Sequence, residues 1–402
     1  MNVLIADKFP EEQQKMLREA GLKVVSEPNL NGEALAEAIV KHSAEILIVR
    51  STKVPEEAIA AFPGLSLIVR AGAGYDTIDV EAASRRSVFV ANCPGMNSIA
   101  VAELAFALIL SLDRRVPDNV ADLRKGVWNK GEYSKADGLY GKTLGIVGMG
   151  RIGREVARRA KAFGMQVVAW SRSLTPEKAE ALGIHALYSA EAVAGAADVV
   201  SLHVASTPDT KGIAGAAFFD AMKPGAYFIN TSRADTVDHQ ALRKAVREKG
   251  VRAGLDVFEG EGSGKEGTVE TDLFDLPGVY GTHHIGASTA QAQAAVADEV
   301  VRIVTAYLKT GQVPNVVNRL EKTPAKYILS VHHRNRVGVL ATVLQVIKEK
   351  GINVDVMENT LFEGGEGACA SIQLEGALSE EGLEALREAS GDIYAVTMHE
   401  SA

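Results

Sequence analysis

The order of elements predicts an α/β protein with two open parallel sheets in tandem and a small α+β module at the C-terminal end. Three observations carry this. From Val3 to Val257 short β-branched runs alternate with helix-like segments, the pattern of consecutive βα units. Residues 145–153 read Gly-Ile-Val-Gly-Met-Gly-Arg-Ile-Gly, a glycine turn set between a strand and a helix. Beyond Lys326 the alternation changes to the order βαββαβ.

Taken in order, residues 1–92 carry strand-like runs at Val3–Ala6, Ile46–Val49, Leu67–Val69 and Val88–Val90, interleaved with helix-like segments at Glu11–Ala20, Gly32–Lys41 and Pro55–Ala61. An apolar-periodic helix follows over Asn97–Arg115, with Asn97 and Ser98 as candidate caps. A second series of strands begins at Leu144 and continues at Val167–Trp170, Val199–His203, Ala226–Ile229 and Gly254–Val257. Ser288–Gly311 reads as another long helix, opened by Ser288-Thr289, and two helices flanking the second series suit a chain that enters that unit and returns. The expected division is residues 1–96 with 289–318 as a substrate-binding domain and 97–288 as a nucleotide-binding domain. Residues 319–326 would be a linker and 327–402 a C-terminal module. Both larger domains are expected to be doubly wound and Rossmann-like, the module ferredoxin-like.

At 402 residues the chain is long enough for two or three domains, and 47% hydrophobic residues supply ample core. A net charge of −8 argues against nucleic acid as a partner. The longest apolar stretch, Ile99–Leu112, is broken by Glu103 and is too short to span a membrane. Cys93 and Cys369 have neither disulfide nor metal-ligand spacing, and the first residues form a strand instead of a signal peptide, so no metal and a cytoplasmic location are expected.

The glycines of the turn have separate physical tasks. Gly148 permits the tight turn, Gly150 lets the backbone approach a pyrophosphate, and Gly153 lets helix and strand pack closely. The free N–H groups of the helix start favour the anion. If the turn holds a nicotinamide cofactor, hydride exchange with an alcohol carbon needs a proton acceptor and a cation for the substrate's carboxylate. The tail of the second series offers both. Asn230-Thr231-Ser232-Arg233 ends a strand, Asp256-Val257-Phe258-Glu259-Gly260-Glu261 supplies carboxylates, and Thr282-His283-His284-Ile285-Gly286 supplies imidazoles. A carboxylate beside an imidazole fixes its tautomer and favours its protonated form. Singly, each has a bland reading as a surface ion pair, a solvated acid or a core histidine.

Together and in this order, these four motifs resemble the D-isomer-specific 2-hydroxyacid dehydrogenases, over nearly the whole chain. The resemblance implies that Arg233 binds the substrate carboxylate and carbonyl, that His284 is the acid/base, and that Glu261 supports it. His284 is preferred to His283 because it directly precedes Ile285-Gly286, and Glu261 to Glu259 by its distance from Asp256. It further implies that NAD is bound by Gly148, Gly150, Arg151, Ile152, Gly153, Ser171, Arg172, His203, Thr231, Asp256 and Gly286.

Three segments resemble family members that act on a phosphorylated hydroxy acid. Val49–Val54 and Val69–Asp76 imply substrate contacts from Arg50, Ser51, Arg70 and Gly72, with Asn97 beside them and Arg50 as the phosphate ligand, since guanidinium matches phosphate in bidentate geometry. Gly126–Lys130 is similar to a loop that inserts its Trp into a neighbouring subunit, implying a homodimer or homotetramer and a substrate contact from Lys130. The C-terminal module resembles an ACT regulatory domain, implying L-serine as effector with His333, Asn335 and Asn353 as its ligands.

Some residues depart from the family pattern. Ser171-Arg172 stands where NAD-selective members carry an acid, which keeps NADP open as cofactor. Ala234 replaces a usual Gly, Gly262 a common Pro, leaving the loop 260–267 less restrained, and Val337 a usual Pro. Two alternatives stand beside the main reading: a glyoxylate or hydroxypyruvate reductase of the same family, and a non-catalytic amino-acid-sensing regulator.

Overall fold

The computed structural model describes residues 1–262 and 267–401, so residues 263–266 of the loop noted above lie outside the described residues. The chain divides into two compact units, Met1–Asn318 and Arg319–Ala402.

The first unit holds two parallel sheets. One contains β1 (Asn2–Ile5), β2 (Lys23–Ser26), β3 (Ile46–Val49), β4 (Leu67–Arg70) and β5 (Phe89–Asn92), in the order β2-β1-β3-β4-β5. The other contains β6 (Thr143–Val147), β7 (Gln166–Trp170), β8 (His185–Ala186), β9 (Val199–Leu202), β10 (Tyr227–Asn230), β11 (Arg252–Leu255) and β12 (Val279–Gly281), in the order β12-β11-β10-β9-β6-β7-β8. Both faces of these sheets are covered, which is why β3, β9 and β10 are apolar or small along their whole length and buried throughout. Strand order reverses between β1 and β3 in the first sheet and between β6 and β9 in the second. Ligands of open α/β sheets bind in the crevices at such points.

The chain passes from the first sheet to the second through Cys93–Asn97 and the helix Ser98–Arg114, and comes back through residues 282–289. The returning helix Ala290–Thr310 buries Val300, Ile303 and Val304 against Val3, Ile5, Ile46 and Val69. Residues 315–318 then add to the edge of the first sheet, with an antiparallel bridge from Val316 to Ala91. Thr289 caps the returning helix by accepting from the Ala292 N–H, as its sequence suggests. Asn97 occupies the N-cap position of the outgoing helix without making a capping bond, and Ser98 Oγ is buried without a partner among the described residues.

Several elements carry little sequence signal. β2 is half-buried, β8 and β12 are two and three residues long. The helix Val116–Arg124 buries none of its side chains; Val116, Val120 and Leu123 keep helical spacing but stay exposed. It is separated from the preceding helix by Arg115, whose left-handed backbone (φ 50°) is held by ion pairs to Asp118 and Glu132.

The second unit contains β13 (Tyr327–Arg334), a helix over Val339–Glu349, β14 (Val354–Leu361), β15 (Gly367–Leu374), a helix over Glu380–Glu388 and β16 (Ile393–Glu400). Its strands form one antiparallel sheet, β14-β15-β13-β16. Leu329, Val331, Ala370 and Ile372 alternate onto one face and meet Val343, Ile347, Leu383 and Leu386 of the two helices.

Candidate active site

The glycine turn lies at the switch point of the second sheet. Gly148 has φ +102°, and a Cβ there would lie 2.3 Å from the His203 carbonyl oxygen; a Cβ at Gly153 would lie 2.1 Å from that of Gly148. Both positions therefore exclude a side chain, one for the turn and one for the packing of helix Arg151–Ala162 on β6. A Cβ at Gly150 would meet nothing within 4 Å, so the space over the helix N-terminus is open. Ile152 packs into the core beneath. Arg151 turns its guanidinium to the Pro94 carbonyl, in the segment that leaves the first sheet.

On the other side of the crevice, His203 follows β9 and Thr231 follows β10. His203 Nε2 meets Ser201 Oγ at 2.8 Å, while its Nδ1 and Thr231 Oγ1 are buried with no hydrogen-bond partner among the described residues. Burial alone depresses the His203 imidazole to about 3, so it stays neutral. An open anion-binding helix start flanked by unsatisfied polar atoms fits a dinucleotide whose ribose and nicotinamide amide would satisfy them. Ser171 and Arg172 lie where β7 ends, and the exposed Arg172 pairs with Asp209 at 3.5 Å, a contact of little energetic weight.

Asn230 explains the spacing of the Asn-x-x-Arg motif. Its Oδ1 accepts from the Ser232 N–H (3.0 Å) and Oγ (2.8 Å), and its Nδ2 donates to the Arg233 carbonyl (2.9 Å), closing the turn that presents Arg233. Arg233 reaches back to the first sheet's loops, where Nε and Nη2 donate to Asp76 Oδ2 at 3.1 and 3.0 Å.

Asp256, at 1% exposure, organises the histidine loop. Its Oδ1 accepts from Thr282 Oγ1 (2.6 Å) and the Ile285 N–H (2.8 Å), and its Oδ2 from the Gly286 N–H (2.8 Å). Those bonds, with the His284 N–H on the Asp256 carbonyl, hold His284 in a left-handed backbone (φ 52°) that few non-glycine residues adopt. Its Nδ1 stands 3.3 Å from Glu261 Oε2, outside hydrogen-bond geometry, so that Oε2 has no hydrogen-bond partner among the described residues. His283 is exposed on the same loop.

A cleft of about 400 Å³ in the first unit brings together Arg50, Ser51, Arg70, Gly72, Asn97 and His284. Lys8, Arg50 and Arg70 line it against the single carboxylate of Asp7. Arg70 is half-buried, with its Nε buried and unpartnered among the described residues. Desolvation, then the charges of Arg233 and Arg50, press its pKa down, yet a guanidinium remains cationic. The cleft lining therefore carries more positive than negative charge. Asp7 was not legible as part of it: its Oδ2 accepts from the N–H groups of Arg50 (2.6 Å), Ser51 (3.1 Å) and Thr52 (3.1 Å), fixing the loop that presents Arg50. An acid directly after the first strand, at a sheet's carboxyl end, was the available signal.

Other expected residues lie elsewhere. Lys130 starts a short helix in a separate groove with Asn119, Asp122 and Trp128, the last 78% exposed. In the second unit, His333 Nε2 meets Asn359 Oδ1 (3.1 Å) and its Nδ1 the Arg334 carbonyl (2.8 Å). Asn335 donates to the Gly365 carbonyl (2.9 Å), and Asn353 to Asp355 (3.0 Å) and Glu375 (3.2 Å). Val337 is fully exposed. Among the described residues no group of His, Cys, Asp or Glu is arranged to hold a metal, and no helix is long and apolar enough to cross a membrane.

Residues 106–286 match the family model described as D-isomer specific 2-hydroxyacid dehydrogenase, NAD binding domain. The chain is 39% identical over 320 residues to a D-3-phosphoglycerate dehydrogenase of Methanocaldococcus jannaschii, covering 79% of this chain but 59% of that relative's length. It is 37% identical over 325 residues to a glyoxylate reductase of Thermococcus litoralis, covering 79% of this chain and 96% of the relative. The NAD⁺-bound 3-phosphoglycerate dehydrogenase of Entamoeba histolytica superposes with a TM-score of 0.66 at 29% identity, over 80% of this chain and 99% of the other.

Proposed function

We propose that this chain, which belongs to the D-isomer-specific 2-hydroxyacid dehydrogenase family, oxidises 3-phospho-D-glycerate to 3-phosphohydroxypyruvate, the D-3-phosphoglycerate dehydrogenase step of L-serine biosynthesis. The observation that carries the substrate is the cationic cleft: Arg50, Arg70 and Lys8 against one carboxylate, beside His284, suit a phosphorylated acid better than one that bears a single carboxylate charge.

In this reading Arg233 holds the substrate carboxylate and Arg50 the phosphate, which fixes the carbinol carbon between them. His284 Nε2 takes the hydroxyl proton, and Glu261, beside Nδ1, stabilises the imidazolium so formed. NAD, held by the 148–153 turn, His203 and Thr231, supplies the hydride acceptor. The side chains of Ser171 and Arg172 offer no carboxylate to repel a 2′-phosphate, so NADP is also accepted. Residues 97–288 act as the nucleotide-binding domain, and residues 1–96 with 289–318 as the substrate-binding one.

The exposed apolar run Val116, Val120, Leu123, Val127 and Trp128 supports assembly as a homodimer or homotetramer, with Lys130 contributing to a neighbouring cleft. The βαββαβ unit acts as a ferredoxin-like ACT module with L-serine as effector, and the enzyme works in the cytoplasm. The comparison of initial rates with 3-phosphohydroxypyruvate, hydroxypyruvate and glyoxylate, each with NADH and NADPH, tests the substrate. The proposal expects a kcat/KM advantage of at least about tenfold, or about 1.4 kcal/mol, for the phosphorylated acid. Equal or better rates with the unphosphorylated acids favour the second reading, a glyoxylate or hydroxypyruvate reductase like the Thermococcus relative.

A further inference from the structure

We propose that Asp76 is a positioning residue that aims Arg233 at the substrate carboxylate, an inference resting on the role given to Arg233 above. Asp76 lies in the loop after β4 of the first sheet, and Arg233 follows β10 of the second, 157 residues later. A guanidinium has five N–H donors on three edges. The side-on edge is taken, since Nε and Nη2 both donate to Asp76 Oδ2 at 3.1 and 3.0 Å. One N–H of Nη1 is taken by the Ser232 carbonyl at 2.8 Å. What remains is one N–H on each terminal nitrogen, the end-on fork that a carboxylate accepts as a bidentate pair.

The approach is built into the backbone. A Cβ at Gly74 would lie 2.0 Å from Arg233 Nη2, so any side chain there would push the guanidinium from this position beside Asp76. The need for such a hold follows from a neighbour, because the positive charges of Arg70 and Arg233 repel each other. Without Asp76 that repulsion turns the guanidinium out of the cleft toward solvent, and the fork loses its aim.

The test is a double-mutant cycle on the full-length chain with the 2-oxo acid that the wild type reduces best, alongside fluorescence titration of NADH. Asp76→Ala should raise KM and lower kcat/KM by about tenfold or more, with the cofactor dissociation constant unchanged, while Asp76→Asn, which keeps the shape and one acceptor, falls between. In the Arg233→Ala background, Asp76→Ala should cost less than about twofold. Calorimetric binding of malonate to the cofactor-loaded protein gives the same cycle without turnover. If Asp76→Ala costs as much without Arg233 as with it, or leaves KM unchanged while Arg233→Ala raises it, Asp76 serves only its own loop and the proposal is overturned. If Arg233→Ala changes neither KM nor malonate binding, the role of Arg233 falls and Asp76 with it. A preference for unphosphorylated acids overturns the substrate assignment alone, since the cycle concerns the carboxylate end.

Discussion

At the carboxyl end of the second sheet, His203 Nδ1 and Thr231 Oγ1 are buried with no partner among the described residues, whereas in the second unit His333 is held at both ring nitrogens and Asn335 and Asn353 are bonded to their own module. A buried polar atom left unsatisfied costs about 1–3 kcal/mol. Such atoms persist where a ligand recovers that energy, so the crevice by the glycine turn is prepared for occupancy. In the second unit His333, Asn335 and Asn353 have already used their groups, although Asp355 Oδ2 is buried without a partner among the described residues, so a ligand of those three must exchange one set of hydrogen bonds for another.

The harshest way to sharpen this contrast is to remove the reacting group on the prepared side. His284→Ala should lower kcat by about 10³-fold or more, within the usual range for a general acid/base, while the NADH dissociation constant by fluorescence titration stays within about twofold of wild type. Loss of both activity and cofactor binding would mean that His284 only maintains its loop.

Acid pH probes the same crevice through His203. Its folded pKa of about 3 lies below the ordinary histidine value, so the unfolded chain binds a proton that the folded chain refuses. Stability from this group is complete above about pH 6.5 and falls by about 1.4 kcal/mol per pH unit as pH drops toward 3. Denaturant titrations from pH 7.5 to 4.5 should show that slope, and His203→Gln should flatten it by one proton. An unchanged slope would place the imidazole in a less buried setting.

The smallest effects should have opposite signs in the two regions. Thr231→Val removes an orphaned hydroxyl, so it should stabilise the free protein by about 1 kcal/mol while weakening NADH binding several-fold. Asn359→Leu strips His333 of a partner and should destabilise the second unit by about 1–3 kcal/mol with kcat unaltered. Thermal unfolding of both variants, with and without NADH, settles the signs; destabilisation by Thr231→Val would erase the contrast between the regions.

What was legible in the chain was whatever depends on near neighbours. The glycine turn is readable because Gly148 and Gly153 answer to backbone one strand or a few residues away, and Asn230 announces Arg233 because it closes that very turn. The two parallel sheets were readable because parallel strands buried on both faces read as near-continuous apolar runs. Asp7 and Asp76 were not, since their partners lie 43 and 157 residues away and an isolated acid after a strand looks like any other. The helix Val116–Arg124 escaped for another reason: Val116, Val120 and Leu123 keep helical spacing, but Pro117, Asp118 and Asp122 break up so short a run.

The chain crosses between its two parallel sheets twice, once through Cys93–Asn97 and once through residues 282–289. Two crossings act like two pins on one door: the halves can swing about the line joining them but resist sliding or twisting. The width of the cleft is thus close to a single coordinate. The Asp76–Arg233 pair joins the same two halves, and its loop is anchored to the first crossing by the Cys93 N–H on the Gly72 carbonyl, so it works as a catch set beside one of the pins.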